Sequence, residues 1–193
     1  MAKGKFKKRM SSPVTTTGVP VAVLVVFILF FGVPAAALAR GGHPLLAAVV
    51  GFPLAAAAAF WTFGRILLVL AAFRLHRRGV AGVLVYSNSP TWQAHIEREW
   101  LPLVGGAVVT LNWSERATWR DTLPVMLWRH FCANYRGSVG VFRNINPAVI
   151  VLRGLRQPLV FRFYGPFELA KHGDTENLKT LEREMLEAVG AAT

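Results

Sequence analysis

Two short polar stretches hold the side chains best suited to chemistry, Ser87-Asn88-Ser89-Pro90-Thr91 and Asn112-Trp113-Ser114-Glu115-Arg116. Each follows an apolar, β-rich run, Val83-Leu84-Val85-Tyr86 and Val108-Val109-Thr110-Leu111, so each stands where a strand gives way to a loop. Ser87, Asn88, Ser89 and Thr91 could cradle an anion together with the free N–H groups of a following helix. Asn112 would add an amide, Glu115 a carboxylate and Arg116 the counter-charge. The more ordinary reading of the same residue types is that Ser89 or Asn88 caps a helix while Glu115 and Arg116 are solvated or paired.

Nothing else in the chain spells out a reaction. Cys132 is the single cysteine, which excludes an intrachain disulfide and a cysteine-cluster zinc site. It lies in an apolar-patterned segment as a small buried thiol, and His130, though near in sequence, points elsewhere on a helix. His95, His130 and His172 lack metal-ligand spacing. A Gly-rich phosphate loop, a paired-carboxylate signature and Gly-x-Ser-x-Gly are all missing from the sequence. No catalytic residue, metal or cofactor is therefore assigned.

The elements that must position the two loops can be read in order. Ser87 to Pro90 forms a turn, with Pro90 suited to a first helical position. Trp92, Ile96, Trp100 and Leu103 then recur at helical spacing with Glu97, Arg98 and Glu99 opposite, and Gly105-Gly106 ends that helix. A helix between two strands implies a parallel pair joined by a right-handed crossover. A further helix from about Leu123 to Asn134, opened by Pro124, would turn Leu123, Leu127 and Phe131 inward. After a Gly- and Asn-rich loop from Tyr135 to Asn146, the runs Ala148 to Leu152 and Leu159 to Phe163 suit a hairpin across Arg153 to Pro158. Gly165-Pro166 ends the sheet, and Asp174 can cap a last helix striped by Leu178, Leu181, Met185 and Val189. The order is β-α-β-α-β-β-α, an α/β domain of three helices on a four-stranded mixed sheet.

That element order, with Pro147 directly before the run Ala148 to Leu152, resembles the thioredoxin-like superfamily over about Val83 to Val189. The resemblance implies a cis bond at Pro147, close to the loop after the first strand. Disulfide-exchanging members carry Cys-x-x-Cys in that loop, where the helix amino end stabilises a thiolate. Here the loop reads Ser87-Asn88-Ser89-Pro90-Thr91-Trp92, with no sulfur, so dithiol oxidoreductase activity is excluded. Pro147 joins the loop residues as a candidate ligand-binding position.

Before this domain lies an apolar stretch from Gly18 to Phe73, broken by Arg40-Gly41-Gly42-His43-Pro44. Gly18 to Leu38 has no charged side chain and Leu45 to Phe63 has none, and ~20 such residues cross a hydrocarbon core. The reading is a membrane α-helical hairpin of two transmembrane helices. It divides the chain into a basic, disordered tail (1–17), the hairpin with its juxtamembrane basic segment (18–78) and an α/β domain (79–193). Ala37-Leu38-Ala39 also suits a signal-peptidase site, but a second apolar segment follows at once and the first is read as retained. The second helix ends either near Trp61, with Arg65 to Arg78 along the headgroups, or near Phe73, with Arg65 snorkelling.

The formal net charge of +12 is divided unevenly: ten Lys and Arg with no acid before Gly79, twelve against ten acids after it. Cations at both outer ends of the hairpin and only Arg40 in its turn orient it with both termini cytoplasmic, as a multi-pass protein of the plasma (inner) membrane. Arg65, Arg74, Arg77 and Arg78 are candidate contacts to anionic headgroups. Arg129, Arg136, Arg143, Arg153, Arg156 and Arg162 form a stretch free of acids that could face the same membrane or lie solvated. Aromatic interleaving is sparse and no nucleic-acid motif appears, so nucleic acid is not an expected partner. Small residues, notably Ala55 to Ala59, let the second helix pack on the first or on a second copy. The expected role is a binding or assembly module with a protein partner; the alternative is a membrane-bound enzyme acting on an anionic or nucleotide-linked substrate through loops 87–91 and 112–116.

Overall fold

The computed structural model describes residues 14–15, 25–133 and 146–193. The chain divides into two compact units, one formed by residues 17–66 and the other by the residues on either side of it.

In the first unit the helix running from Val25 to Arg40 contains a π turn, Ile28–Gly32, followed by α1 (Val33–Arg40). Gly42, at φ +79°, makes the turn, and α2 starts at Pro44, as the polar break implied. Proline fits there because a first-turn N–H has no intrahelical partner to lose. The two helices approach closely at small residues: a Cβ on Gly51 would lie 3.4 Å from Ala35 Cβ, and one on Gly32 3.2 Å from Leu54 Cδ2. Ala55 to Ala59, in contrast, are all exposed, so among the described residues the alanine run does not pack on the first helix.

Among the described residues one helix, the stretch Pro44–Arg78 with mean hydropathy 1.9, is long and apolar enough to cross a membrane. Val25–Arg40 is 16 residues, or ~24 Å of helix against the ~30 Å of a hydrocarbon core. The rest of its expected span, 18–24, lies outside the described residues.

Of the two endings open for the second helix, the longer holds: α2 (Pro44–Arg74) is continuous past Trp61 and Arg65. Its last turns, however, belong to the second unit. Leu67, Leu68, Ala71 and Leu75 are buried in the second unit, against the sheet, so the expected boundary at residue 79 moves back to Leu67. The physical reason is that an apolar helical stripe has the same composition whether it faces lipid or a sheet.

The second unit is built on a mixed sheet. β2 (Gly82–Tyr86) runs parallel to β3 (Val108–Asn112) and antiparallel to β4 (Ala148–Arg153), which forms a hairpin with β5 (Arg156–Arg162). The order of these four strands is β3-β2-β4-β5. The two-residue β1 (Val14–Thr15) adds a fifth strand, antiparallel to β5. The tail 1–17 was expected to be disordered; these two β-compatible residues instead pair with Val160 and Leu159 on the hydrogen-bonding edge that β5 offers. The remainder of the tail lies outside the described residues.

Strand alternation sends side chains to two faces, and both are covered. Leu84, Val149, Val151, Phe161 and Phe163 meet α3 (93–104), α5 (Tyr164–Lys171) and α6 (Glu176–Gly190). Val83, Val85, Ala148, Ile150, Leu152 and Val160 meet the end of α2 and α4 (Leu123–Trp128, continued by a π turn over Arg129–Ala133). At the sheet centre Gly82 is obligatory, because a Cβ there would stand 2.3 Å from the Ile150 carbonyl oxygen.

Several local expectations change. In α3 the inward residue is Val104, 4% exposed, and not Leu103, 68% exposed. A π turn over Ile96–Trp100 widens the helix, so the buried spacing is Ile96, Trp100, Val104. The β4–β5 connection shrinks to Gly154-Leu155, with a register shift between Val151 and Arg153. Pro158 is tolerated beside such an irregularity because it interrupts the ladder anyway. Gly165-Pro166 lies inside α5, an unexpected helix, since proline in a first turn breaks nothing. Asp174 does not cap α6; Thr175 is its N-cap, without a side-chain bond. Leu123 is half-buried, while Leu127 and Phe131 are buried as expected. The loop 135–145 lies outside the described residues.

Candidate functional site

Parallel pairing in register, Tyr86 with Asn112, brings the loops after β2 and β3 out side by side. Ala148 pairs with Val85, so Pro147 stands at the same end of the sheet, and its bond to Asn146 is cis. The expected ligand-binding residues thus converge on the carboxyl ends of the parallel strands, where ligands of open α/β sheets bind.

Their polar groups are spent mainly on one another. The Asn112 amide donates to Asn88 Oδ1 at 2.9 Å and to Glu115 Oε1 at 3.0 Å. Asn112 Oδ1 caps the turn Trp113–Thr118 by accepting from the Ser114 N–H. The Ser114 hydroxyl accepts the Asn88 N–H, and the Ser87 hydroxyl accepts the Trp92 indole N–H at 3.2 Å. Ser89 Oγ accepts the Thr91 N–H, and its carbonyl accepts the first N–H of α3, from Gln93. Arg116 folds back on its own turn, its guanidinium 4.9 Å from the Trp113 ring centroid and donating to the Trp113 carbonyl. It faces Trp113 more than the 87–91 loop. Below lies a tryptophan cluster, Trp113, Trp119 and Trp128, with centroids 4.9 to 5.8 Å apart.

Such an arrangement is a braced polar surface. Among the described residues its serines accept N–H groups and its carboxylate is held by an amide, so no hydroxyl is paired with a base. No family model, curated protein or solved structure matches the chain.

The other sites are scattered. Cys132 is fully buried, and burial pushes its thiol up to about 11 although the Arg162 charge and hydrogen bond pull the other way. A thiol held protonated is a poor nucleophile. Burial lowers His130. The acid-free arginine stretch is broken up: Arg129 pairs with Asp121, the Arg162 charge acts on the buried Cys132, Arg153 and Arg156 are exposed, and Arg136 and Arg143 lie outside the described residues. Of the expected lipid contacts, Arg65 lies over Trp61 and Arg77 over Phe73, at 5.8 and 4.1 Å, while Arg74 and Arg78 are exposed.

Sequence reasoning missed two clusters on the other face of the sheet. Glu182 Oε1 lies 2.6 Å from His95 Nε2 and accepts the Trp100 indole N–H at 2.9 Å. Tyr86 shares Glu97 with Gln93, and burial followed by the Glu97 charge and hydrogen bond raises its hydroxyl pKa. The first pairing spans 87 residues, beyond any local pattern. Among the described residues no His, Cys, Asp and Glu cluster could hold a metal ion.

Proposed function

We propose that this chain is a membrane-anchored binding or assembly module, in which a hairpin of two transmembrane helices holds a redox-inactive, thioredoxin-like domain at the cytoplasmic face of the plasma membrane. The anchoring rests on one observation. Val14–Thr15 pairs with β5, so chain from before the apolar unit and chain from after it belong to one sheet. An apolar segment that leaves a sheet and returns to it crosses a bilayer an even number of times. The cation bias then favours the cytoplasmic side.

The thioredoxin-like reading draws on the strand order, with a parallel pair and an antiparallel hairpin beside it. Binding is favoured over catalysis because the polar loops brace one another without forming a nucleophile and base pair. The exposed Ala55 to Ala59 run supports self-association of α2.

Two measurements test this. Lys179 is exposed and Cys132 is buried, so a Lys179→Cys variant reports sidedness cleanly. A membrane-impermeant maleimide should label it only after cells are permeabilised; labelling of intact cells refutes the cytoplasmic placement. Isolation of the tagged chain in mild detergent should recover a defined protein partner or oligomer. A monomer carrying a small molecule would instead favour the enzyme.

A further inference from the structure

At the opposite end of the sheet from the polar loops, a cleft of about 470 Å³ opens between the β4–β5 turn and the end of α6. That volume falls within the ~300–1,000 Å³ of small-molecule sites. Its floor is apolar, made by Leu152, Leu159 and the alanines at 188, 191 and 192, and its rim carries Arg153, Arg156 and His76. We propose that this cleft binds a monoacyl anion, with the chain on the leucine and alanine floor and a phosphate or carboxylate between the two guanidinium groups.

Charge is the first argument. Arg153 and Arg156 are register partners on the hairpin, and like charges placed directly opposite destabilise a strand pair. Among the described residues no acid lines the cleft and no ion pair engages either arginine. Glu184, one turn before Ala188 on α6, pairs with neither. The arginines are not needed to cap α6 either. Its last carbonyls already accept from within the chain, Glu187 from Ala191 N–H, Val189 from Ala192 and Thr193 N–H, and Gly190 from the Thr193 hydroxyl. An anionic head is what the rim lacks.

Shape and polarity narrow the class. The three alanines leave open the volume that larger side chains on the final turn of α6 would fill. Among the described residues no Ser, Thr, Asn, Gln or Tyr lines the cleft, so a peptide or a nucleoside would find few side-chain partners there for its amides or base edges. An acyl chain needs none. Gly154, at φ +61°, makes the tight turn that keeps both arginines at one rim.

The test uses the full chain in phosphatidylcholine nanodiscs, with an environment-sensitive dye on a Leu155→Cys variant at the turn. Dodecyl phosphate should give a saturable change. Removing both guanidinium groups, in Arg153→Gln/Arg156→Gln, should weaken binding at least tenfold, because charge-assisted hydrogen bonds are lost. Filling the floor with Ala188→Phe should do the same, each variant keeping the parent melting temperature. Dodecanol or inorganic phosphate binding as tightly as dodecyl phosphate would overturn the proposal, as would unchanged affinity in the arginine variant. Ligand supplied as monomer in water identifies a diffusible acyl anion; a response only to lysophosphatidic acid in the disc identifies a membrane lipid. Silence in both arms refutes the site.

Discussion

The Cys132 thiol should give the stability of the protein a measurable pH dependence. Burial raises it to about 11 from a reference of 9.0, the value it regains in the unfolded chain. Below pH 9 the thiol is protonated in both states and its contribution is constant. As pH rises through 9 the unfolded chain ionises while the native one does not, so folding stability falls until the native thiol also titrates near 11. At about 1.4 kcal/mol per pKa unit, the two-unit difference implies a loss of about 3 kcal/mol over that window, of which about 2 kcal/mol appears between pH 8 and 10.5. Tyrosines and lysines titrate there too, so the comparison is with Cys132→Ala, which retains them. Urea unfolding of both proteins, followed by tryptophan fluorescence at pH 8 and 10.5, should show the parent losing about 2 kcal/mol more than the variant. Parallel pH slopes would refute the burial argument. At pH 8 only about one native thiol in a thousand would be ionised, so alkylation by iodoacetamide should be slow and accelerate on unfolding.

Other substitutions test other parts of the structure. Gly82→Ala drives a methyl group into the Ile150 carbonyl across the central strand pair and should cost about 3 kcal/mol or more, read by denaturant midpoint. Glu182→Leu leaves the Trp100 indole and His95 without their acceptor and should cost about 2 kcal/mol, whereas Glu182→Gln keeps a carbonyl for Trp100 and should cost about half that. In the first unit, Ala35→Cys with Gly51→Cys puts two Cβ atoms 3.4 Å apart, close to disulfide reach. Oxidation should link α1 to α2 within one chain, and a free dithiol under oxidising conditions would refute their packing.

The strands and most core positions were legible because β-rich apolar runs between turn residues report burial directly. Val83 to Tyr86, Val108 to Leu111 and the α6 stripe Leu178, Leu181, Met185, Val189 all needed only periodicity. Three features were hidden for separate reasons. The π turn in α3 turns Val104 inward in place of Leu103, and because i, i+4, i+7 and i, i+4, i+8 are both helical rows, spacing alone could not choose between them. The end of α2 is uncharged from Ile66 to Phe73, so composition could not show that Leu67, Leu68 and Ala71 belong to the sheet's cover. Within the site, the convergence of 87–91, 112–116 and Pro147 followed from strand order, but the way Asn112 is shared between Asn88 and Glu115 depends on rotamers that sequence does not encode.

The pairing of Val14–Thr15 with Leu159 and Val160 also bears on the order of events during synthesis. The stretch that seals the outer border of the sheet leaves the ribosome first, and the strand it seals is made some 145 residues later. Closure across so long a separation belongs among the last steps of folding. Until then the border strand stays open to pairing with other chains. A bulky fusion placed just ahead of Val14 would prolong that interval, and aggregation during expression should rise with the size of the fusion.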